Sequence, residues 1–411
     1  MQDNMKPRKE QLNFLDWEIG AFLHFGIRTF FEGHNDWDGK PMPLTGFTPT
    51  TLDCENWIQT VKEAGAKYAI LVCKHHDGFA NWPSKYSQYH VGLTIWKDGK
   101  GDVVNEFVHA CRKFGVKVGL YYSPAEVGYG TRSAKEHDDY FIAQISELLS
   151  NYGKIDYLWF DGCGSEGHEY DKERIVKTIR ALQPEILIFN MWDPDTRWVG
   201  NEAGVAGTAN SDWVKELDFS VMTSRKDALK GEAFMPAECD FMMRDHRWFY
   251  SEYDVHTVKT VEELVGLYYY SVGCGANFLI NIGPDRRGLL PDVDAIRLKE
   301  FGAEIRRRFA DPINAQSRET DDGIAIELDE QRMVNHLVIS EDMSDGGAVT
   351  AFSIQATSRL IYQPKTIYTG TAIGHKRIIQ IPPIRAKGFI IKIEQSRGAY
   401  RLNKPEAYYV N

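Results

Sequence analysis

GDVVNEFVHACRKFGVKVGLYYSP (residues 101–124) is the stretch that decides the fold. Asp102 is placed to accept from the free amides that open a helix over Asp102–Phe114, and Gly115 stops it. The run Lys117–Tyr122 that follows is short and almost wholly apolar. That is the texture of a parallel strand buried on both faces. The same phrase occurs upstream as helix Asp53–Ala64, stop Gly65 and strand Tyr68–Cys73. Further strands are expected at Gly20–His24, Ile155–Phe160, Ile186–Asn190, Ala233–Ala237 and Asn277–Ile282. Further helices are expected at Ser133–Tyr152, Asp171–Leu182, Val261–Val272 and Asp292–Phe309. The strand starts recur at intervals of roughly 30–50 residues, the rhythm of βα repeats. With an eighth strand expected at Leu217–Met222, the pattern predicts an α/β chain with a (β/α)8-like TIM barrel. A doubly wound sheet is the competitor, but no Gly-rich phosphate loop follows any strand.

After Asp311–Pro312 the texture changes. Gly323–Asp329, Val334–Ser340, Ala348–Ala356, Leu360–Tyr368, Arg377–Ile381 and Gly388–Glu394 read as short strands separated by turn signals. They predict a small C-terminal antiparallel β-sandwich of about 100 residues. The barrel domain is therefore expected over 1–310 and the sandwich over 311–411.

The chain has 411 residues, of which 43% are hydrophobic, enough to bury sizeable cores and to exclude disorder as the main state. Its net charge is −10 and it has no long basic block, which argues against a nucleic-acid partner. Leu264–Pro284 carries no charge, but its glycines and asparagines suit a helix–turn–strand passage better than a membrane span. Six cysteines without a CxxC pair give no disulfide framework, and the N-terminal segment lacks an apolar signal-peptide core. A cytoplasmic location is favoured, with a secreted or periplasmic one the alternative if a signal peptide was removed. No cofactor is expected.

In a parallel barrel the chemistry lies at the carboxyl ends of the strands. Read that way, the ends offer His24, then Lys74-His75-His76-Asp77-Gly78, then Tyr121-Tyr122-Ser123, then Asp161-Gly162, Asn190 and Glu238. A metal on His24, His75 and His76 is an alternative, but adjacent strand residues point to opposite faces and no zinc-type spacing occurs, so no metal is expected. Asp161 reads either as a helix N-cap or as a catalytic group. For the second carboxylate, Glu202 in the loop after strand five competes with Glu238. Trp37, Trp82, Trp159, Trp192, Trp198 and Trp248 lie in or beside strand-end loops. Indole faces pack on the C–H faces of a pyranose, so the aromatics suit a sugar, with His, Asp and Arg for its hydroxyls. About half of these tryptophans are expected to be structural, since Trp is largely buried on average.

AFLHFG (21–26), AGAKYAILVCKHHDGFANWPSKYS (64–87), the opening segment 101–124, ELLSNYGKIDYLWFDG (147–162) and NFLINIGPDRRGLL (277–290) resemble the glycoside hydrolase family 29 α-L-fucosidases. KHHDGF together with LWFDG is the specific combination. RWVGNEAG (197–204) and PAECDFMMRDHRWFY (236–250) are similar to the subfamily acting on branched α-1,3/1,4-linked fucose. The resemblance implies a barrel followed by a sandwich, a retaining mechanism and a fucosylated oligosaccharide as partner. It implies Asp161 as nucleophile and Glu202 as acid/base. His24, His75 and His76 would hold the fucose hydroxyls, with Trp37 and either Tyr121 or Tyr122 nearby. Trp159, Trp198, Arg244 and Trp248 are taken as further sugar contacts. Position 36 departs from the pattern, with Asp36 where a Glu often precedes the Trp.

Overall fold

Short apolar runs pair side by side because their backbones are satisfied only by neighbours and both faces are covered. The computed structural model describes residues 6–33, 42–126 and 131–411. The strands are β1 (Ile19–Leu23), β2 (Tyr68–Lys74), β3 (Lys117–Tyr122), β4 (Tyr157–Phe160), β5 (Leu187–Phe189) and β6 (Arg197–Trp198). An antiparallel hairpin, β7 (Trp213–Asp218) and β8 (Lys226–Phe234), precedes β9 (Ala237–Met242) and β10 (Ala276–Asn281). Eight of these form one parallel sheet in the order β5-β4-β3-β2-β1-β10-β9-β6. Its edges meet: the Asp195 and Thr196 amides donate to Ile188 O at 2.8 and 3.3 Å, and the Asn190 amide donates to Thr196 O at 3.0 Å. The sheet is thereby a nearly closed barrel.

The helices are α1 (Lys9–Leu15), α2 (Cys54–Glu63), α3 (Val103–Phe114), α4 (Ala134–Asn151), α5 (Lys172–Leu182), α6 (Val261–Tyr270) and α7 (Asp292–Phe309). The expected caps are present. Asp53 and Asp102 each accept from the amide three residues on at 2.9 Å, and Gly115 ends α3 at φ 68°. Helix α1 closes the bottom of the barrel. Its Phe14 packs on Tyr68 and Tyr157 inside, and Asn277 Nδ2 donates to Phe14 O at 2.9 Å. Gly20 makes room for this floor, since a Cβ there would lie 2.2 Å from the Tyr68 ring. The uncharged stretch Leu264–Pro284 is the end of α6, a turn and β10. Among the described residues no helix is long and apolar enough to cross a membrane.

Two expected strands are displaced. Residues 217–222 are not the eighth barrel strand: Leu217 and Asp218 end β7, and the next residues form the hairpin tip. The barrel position is taken by the two-residue β6, too short to show as an apolar run. Ala233–Ala237 is likewise split. Ala233 and Phe234 end β8, and the barrel strand starts at Ala237. Its run AECDFM is broken by two acids, which hid it. Among the described residues, no helix separates β5 from β6 or β6 from β9. A tight turn with Asn190 and Trp192 at φ 58° and 64° makes the first connection, and the hairpin the second.

The C-terminal strands are β11 (Ala315–Thr320), β12 (Gly323–Ile339), β13 (Val349–Ser358), β14 (Ile361–Gly370), β15 (Arg377–Ser396) and β16 (Glu406–Tyr408). They form an antiparallel sheet in the order β11-β12-β15-β13-β14, with β16 on β12. Two pairs of expected short strands are each one long strand, β12 and β15. Their register slips between Glu327 and Arg332, and side chains from both halves, such as Ile326 and Leu337, enter one core. Strands bend at such slips, which folds the sheet over itself as a sandwich. The sandwich docks on the barrel through the Ile378 amide to Gly273 O at 3.0 Å. It also grips the base of the hairpin: Trp213 Nε1 donates to Gly346 O at 2.7 Å, and Arg397 pairs with Glu232 at 3.0 Å.

Candidate active site

The carboxyl ends of the barrel strands surround a cavity of about 270 Å³. Period-two alternation turns every second strand residue inward. From β1 come Phe22 and the following His24; His75 and His76 follow β2; Tyr121 lies in β3. Trp159 lies in β4, with Asp161 just after it. Trp198 ends β6, Glu202 lies in the loop beyond, Asp240 lies in β9, and Trp248 follows it. Of the residues singled out from sequence, His24, His75, His76, Tyr121, Trp159, Asp161, Asn190, Trp198, Glu202 and Trp248 thus line one cavity.

Hydrogen bonds fix the polar groups. The Asn281 amide donates to Trp248 O at 2.7 Å, so its oxygen accepts from His24 Nδ1 at 2.7 Å. Nε2 remains as an acceptor. Burial pushes the His24 pKa down to about 3, so the ring is neutral. Ser123 gives its proton to Ala125 O at 2.6 Å, so its oxygen accepts from His76 Nδ1, also at 2.6 Å. His76 Nε2 then faces Asp161 Oδ2 at 3.4 Å. His75 stacks on Tyr121 with ring centroids 5.5 Å apart.

Asp161 accepts from the Tyr121 hydroxyl at 2.8 Å and from the Cys163 amide at 2.8 Å. Burial pushes its carboxyl up, but His76, the amide and the hydroxyl outweigh it and hold the group below its ordinary value. Glu202 lies on the rim. Its surface is open to solvent, yet protein surrounds it on most sides, and this together with the Asp161 charge pushes it up to about 7. Asp240 accepts from Trp198 Nε1 at 2.7 Å, and burial with the Glu202 charge carries it well above its ordinary value. Below about pH 7 the cavity therefore holds Asp161 ionised and Glu202, on the rim, protonated.

The other expected residues lie elsewhere. Tyr122, the alternative to Tyr121, faces outward and donates to Gln144 at 2.6 Å. Glu238 does not end a strand at the mouth. It is the second residue of β9 and lies fully buried beneath the cavity, accepting from Tyr68 at 2.6 Å, Trp159 Nε1 at 2.9 Å and Tyr157 at 3.3 Å. Arg244 does not line the cavity. It is buried in ion pairs with Asp254 and Asp294, each at 3.0 Å. Trp82 is core, donating to Glu147 at 3.0 Å, and Trp192 packs on Phe141 and Phe160 outside the barrel strands. Trp37 and Asp36 lie outside the described residues. Sequence reasoning passed over Asp240 and Asn281, and it placed Ser123 at a strand end without a role. Asp240 follows Glu238 by two positions, so the alternation that buries one aims the other inward.

His75, His76 and Asp161 offer ligand atoms within 4.8 Å of one another, a spacing that a metal ion could bridge; His24 is not of that group. Both Asp161 oxygens already accept hydrogen bonds from the protein.

The alpha-L-fucosidase family profile matches residues 1–307. Alpha-L-fucosidase 1 of Arabidopsis thaliana is 30% identical, over 95% of this chain and 85% of its own length. The solved structure of a glycoside hydrolase 29 family member from an unknown rumen bacterium superposes with a TM-score of 0.87 at 30% identity, covering 98% of this chain and 77% of that one. The SpGH29 structure gives a TM-score of 0.89 at 29% identity, covering 99% and 98%. The carboxyl pair at the barrel mouth thus stands within a known lineage: the chain belongs to the alpha-L-fucosidase family, glycoside hydrolase family 29, and is an α-L-fucosidase.

Proposed function

We propose that this enzyme is a retaining exo-α-L-fucosidase releasing α-1,3/1,4-linked fucose from branched, Lewis-type oligosaccharides, with Asp161 as nucleophile and Glu202 as acid/base. One observation carries the assignment. Of Asp161, Glu202, Glu238 and Asp240, only Asp161 is held below its ordinary pKa. A retaining glycosidase needs one ionised and one protonated carboxyl group at about 5–5.5 Å across the scissile bond. Asp161 attacks the anomeric carbon while Glu202 gives its proton to the departing oxygen. The glycosyl-enzyme ester forms as the glycosidic bond breaks. Glu202, now ionised, takes a proton from water, whose oxygen attacks the same carbon and frees Asp161. Two displacements return fucose with its original configuration.

His24, His75, His76 and Tyr121 serve the sugar hydroxyls in this reading, and Trp159, Trp198 and Trp248 its apolar face. The linkage preference is supported by the segment RWVGNE (197–202), which supplies β6 and Glu202. Glu238 is not an acid/base in this reading, because it is fully buried and already bonded to three donors.

Asp161→Ala is expected to lose turnover by at least about 10³-fold while still binding fucose. Glu202→Ala is expected to regain turnover of an activated aryl fucoside when azide is added, because azide attacks the glycosyl-enzyme in place of water and leaves as fucosyl azide, and Glu238→Ala is not. Near-wild-type turnover by Asp161→Ala would sink the nucleophile assignment. A panel of Lewis-type trisaccharides, blood-group H oligosaccharides and an aryl fucoside scores the linkage, with equal rates across the panel favouring broader specificity.

A further inference from the structure

The hairpin tip Phe219–Met222 forms one wall of the cavity. Its backbone is pinned. Phe219 O would lie 2.4 Å from a Cβ on Gly162, so the glycine after Asp161 is what lets the tip close on the site. Asn190 Nδ2 donates to Asp218 O at 2.7 Å, and Ser220 Oγ donates to Glu166 at 2.9 Å. The Arg225 guanidinium covers the Phe219 ring at 4.1 Å. Yet Val221 and Met222, on this fixed frame, are 49% and 70% exposed. Two adjacent apolar side chains are held open to water on the wall of a site that binds a partly apolar ligand.

Barrel order says which part of the ligand they face. The tip docks on residues following β4 and β5, and Glu202 follows β6, the next strand around. His24, His75 and His76 follow β1 and β2, across the mouth. An acid must stand beside the oxygen that leaves, so the leaving group lies on the Glu202 side. We propose that Val221 and Met222 form the leaving-group subsite, packing against the C–H face of the sugar residue that carries the fucose. This rests on the assignment of Asp161 and Glu202 above.

The test compares a fucosylated trisaccharide with α-L-fucosyl fluoride, whose leaving group is too small to touch the hairpin. In the double variant Val221→Ser/Met222→Ser, the trisaccharide-to-fluoride ratio of kcat/KM is expected to fall about tenfold, the scale of losing a methylene or two of apolar contact. Met222→Leu, which keeps the apolar volume, is expected to hold the ratio within about twofold of wild type. An unchanged ratio in the double variant, or an equal loss on both substrates, would overturn the subsite. Failure of the wild-type enzyme on both substrates would overturn the fucosidase reading and the subsite with it.

Discussion

In the proposed roles, Glu202 sets the upper edge of the working pH range. The proposed reaction needs Asp161 ionised and Glu202 protonated, so kcat/KM should fall as pH rises through about 7, where Glu202 loses its proton. The lower edge should lie below the ordinary aspartate range, because Asp161 is held down. Glu202→Gln should abolish the alkaline limb along with most of the activity on unactivated substrates, and a limb unchanged at neutral pH would assign it to another group. Ser123 orients His76, which faces Asp161, the proposed nucleophile, and is expected to act as a positioning residue. Ser123→Ala should lower kcat about tenfold and move the acid limb of the profile, with melting temperature changed little. At this scale the place of Asp161 on the cavity wall was legible because it closes the apolar run Tyr157–Phe160, at the carboxyl end of a strand. Ser123 was legible as a strand end, but its bond to His76 was not, because the two are 47 residues apart and meet only when β2 and β3 pair.

At the scale of elements, the helix ends were readable because their signals are local: Asp53, Asp102 and Gly115 act within one turn. Strands β6 and β9 were not, because closure of the barrel, rather than their own composition, makes them strands. β9 also carries Glu238 into the barrel floor, where burial raises its carboxyl to about 7 against an ordinary 4.5. In that window the unfolded chain holds fewer protons than the native one. Stability should therefore fall as pH rises from about 4.5 to about 7 and level off above, by about 3 kcal/mol at most for this group. Glu238→Gln mimics the protonated form and should flatten that fall. Urea titrations at pH 5 and pH 8 measure it, and an equal pH dependence in both proteins would refute the burial argument.

For the whole molecule, the net charge of −10 has no partner in a neutral sugar. kcat/KM on an uncharged trisaccharide should change less than about twofold between 10 mM and 500 mM salt, since charge steering has nothing to act on. A steep salt dependence would point to a charged substrate. The overall division was legible because the βα rhythm and the run of short strands differ in period. The two joined strands β12 and β15 were read as four because the slip near Glu327–Arg332 looks like a turn. The hairpin has a further consequence for how this family diversifies or is engineered. Its tip touches Gly162, the neighbour of Asp161, while its base is held by Gly346 and Arg397 of the sandwich. A chimera that transplants residues 199–236 alone would separate the module from its anchor. Crossovers that move those sandwich residues with it should inherit the donor's selectivity intact.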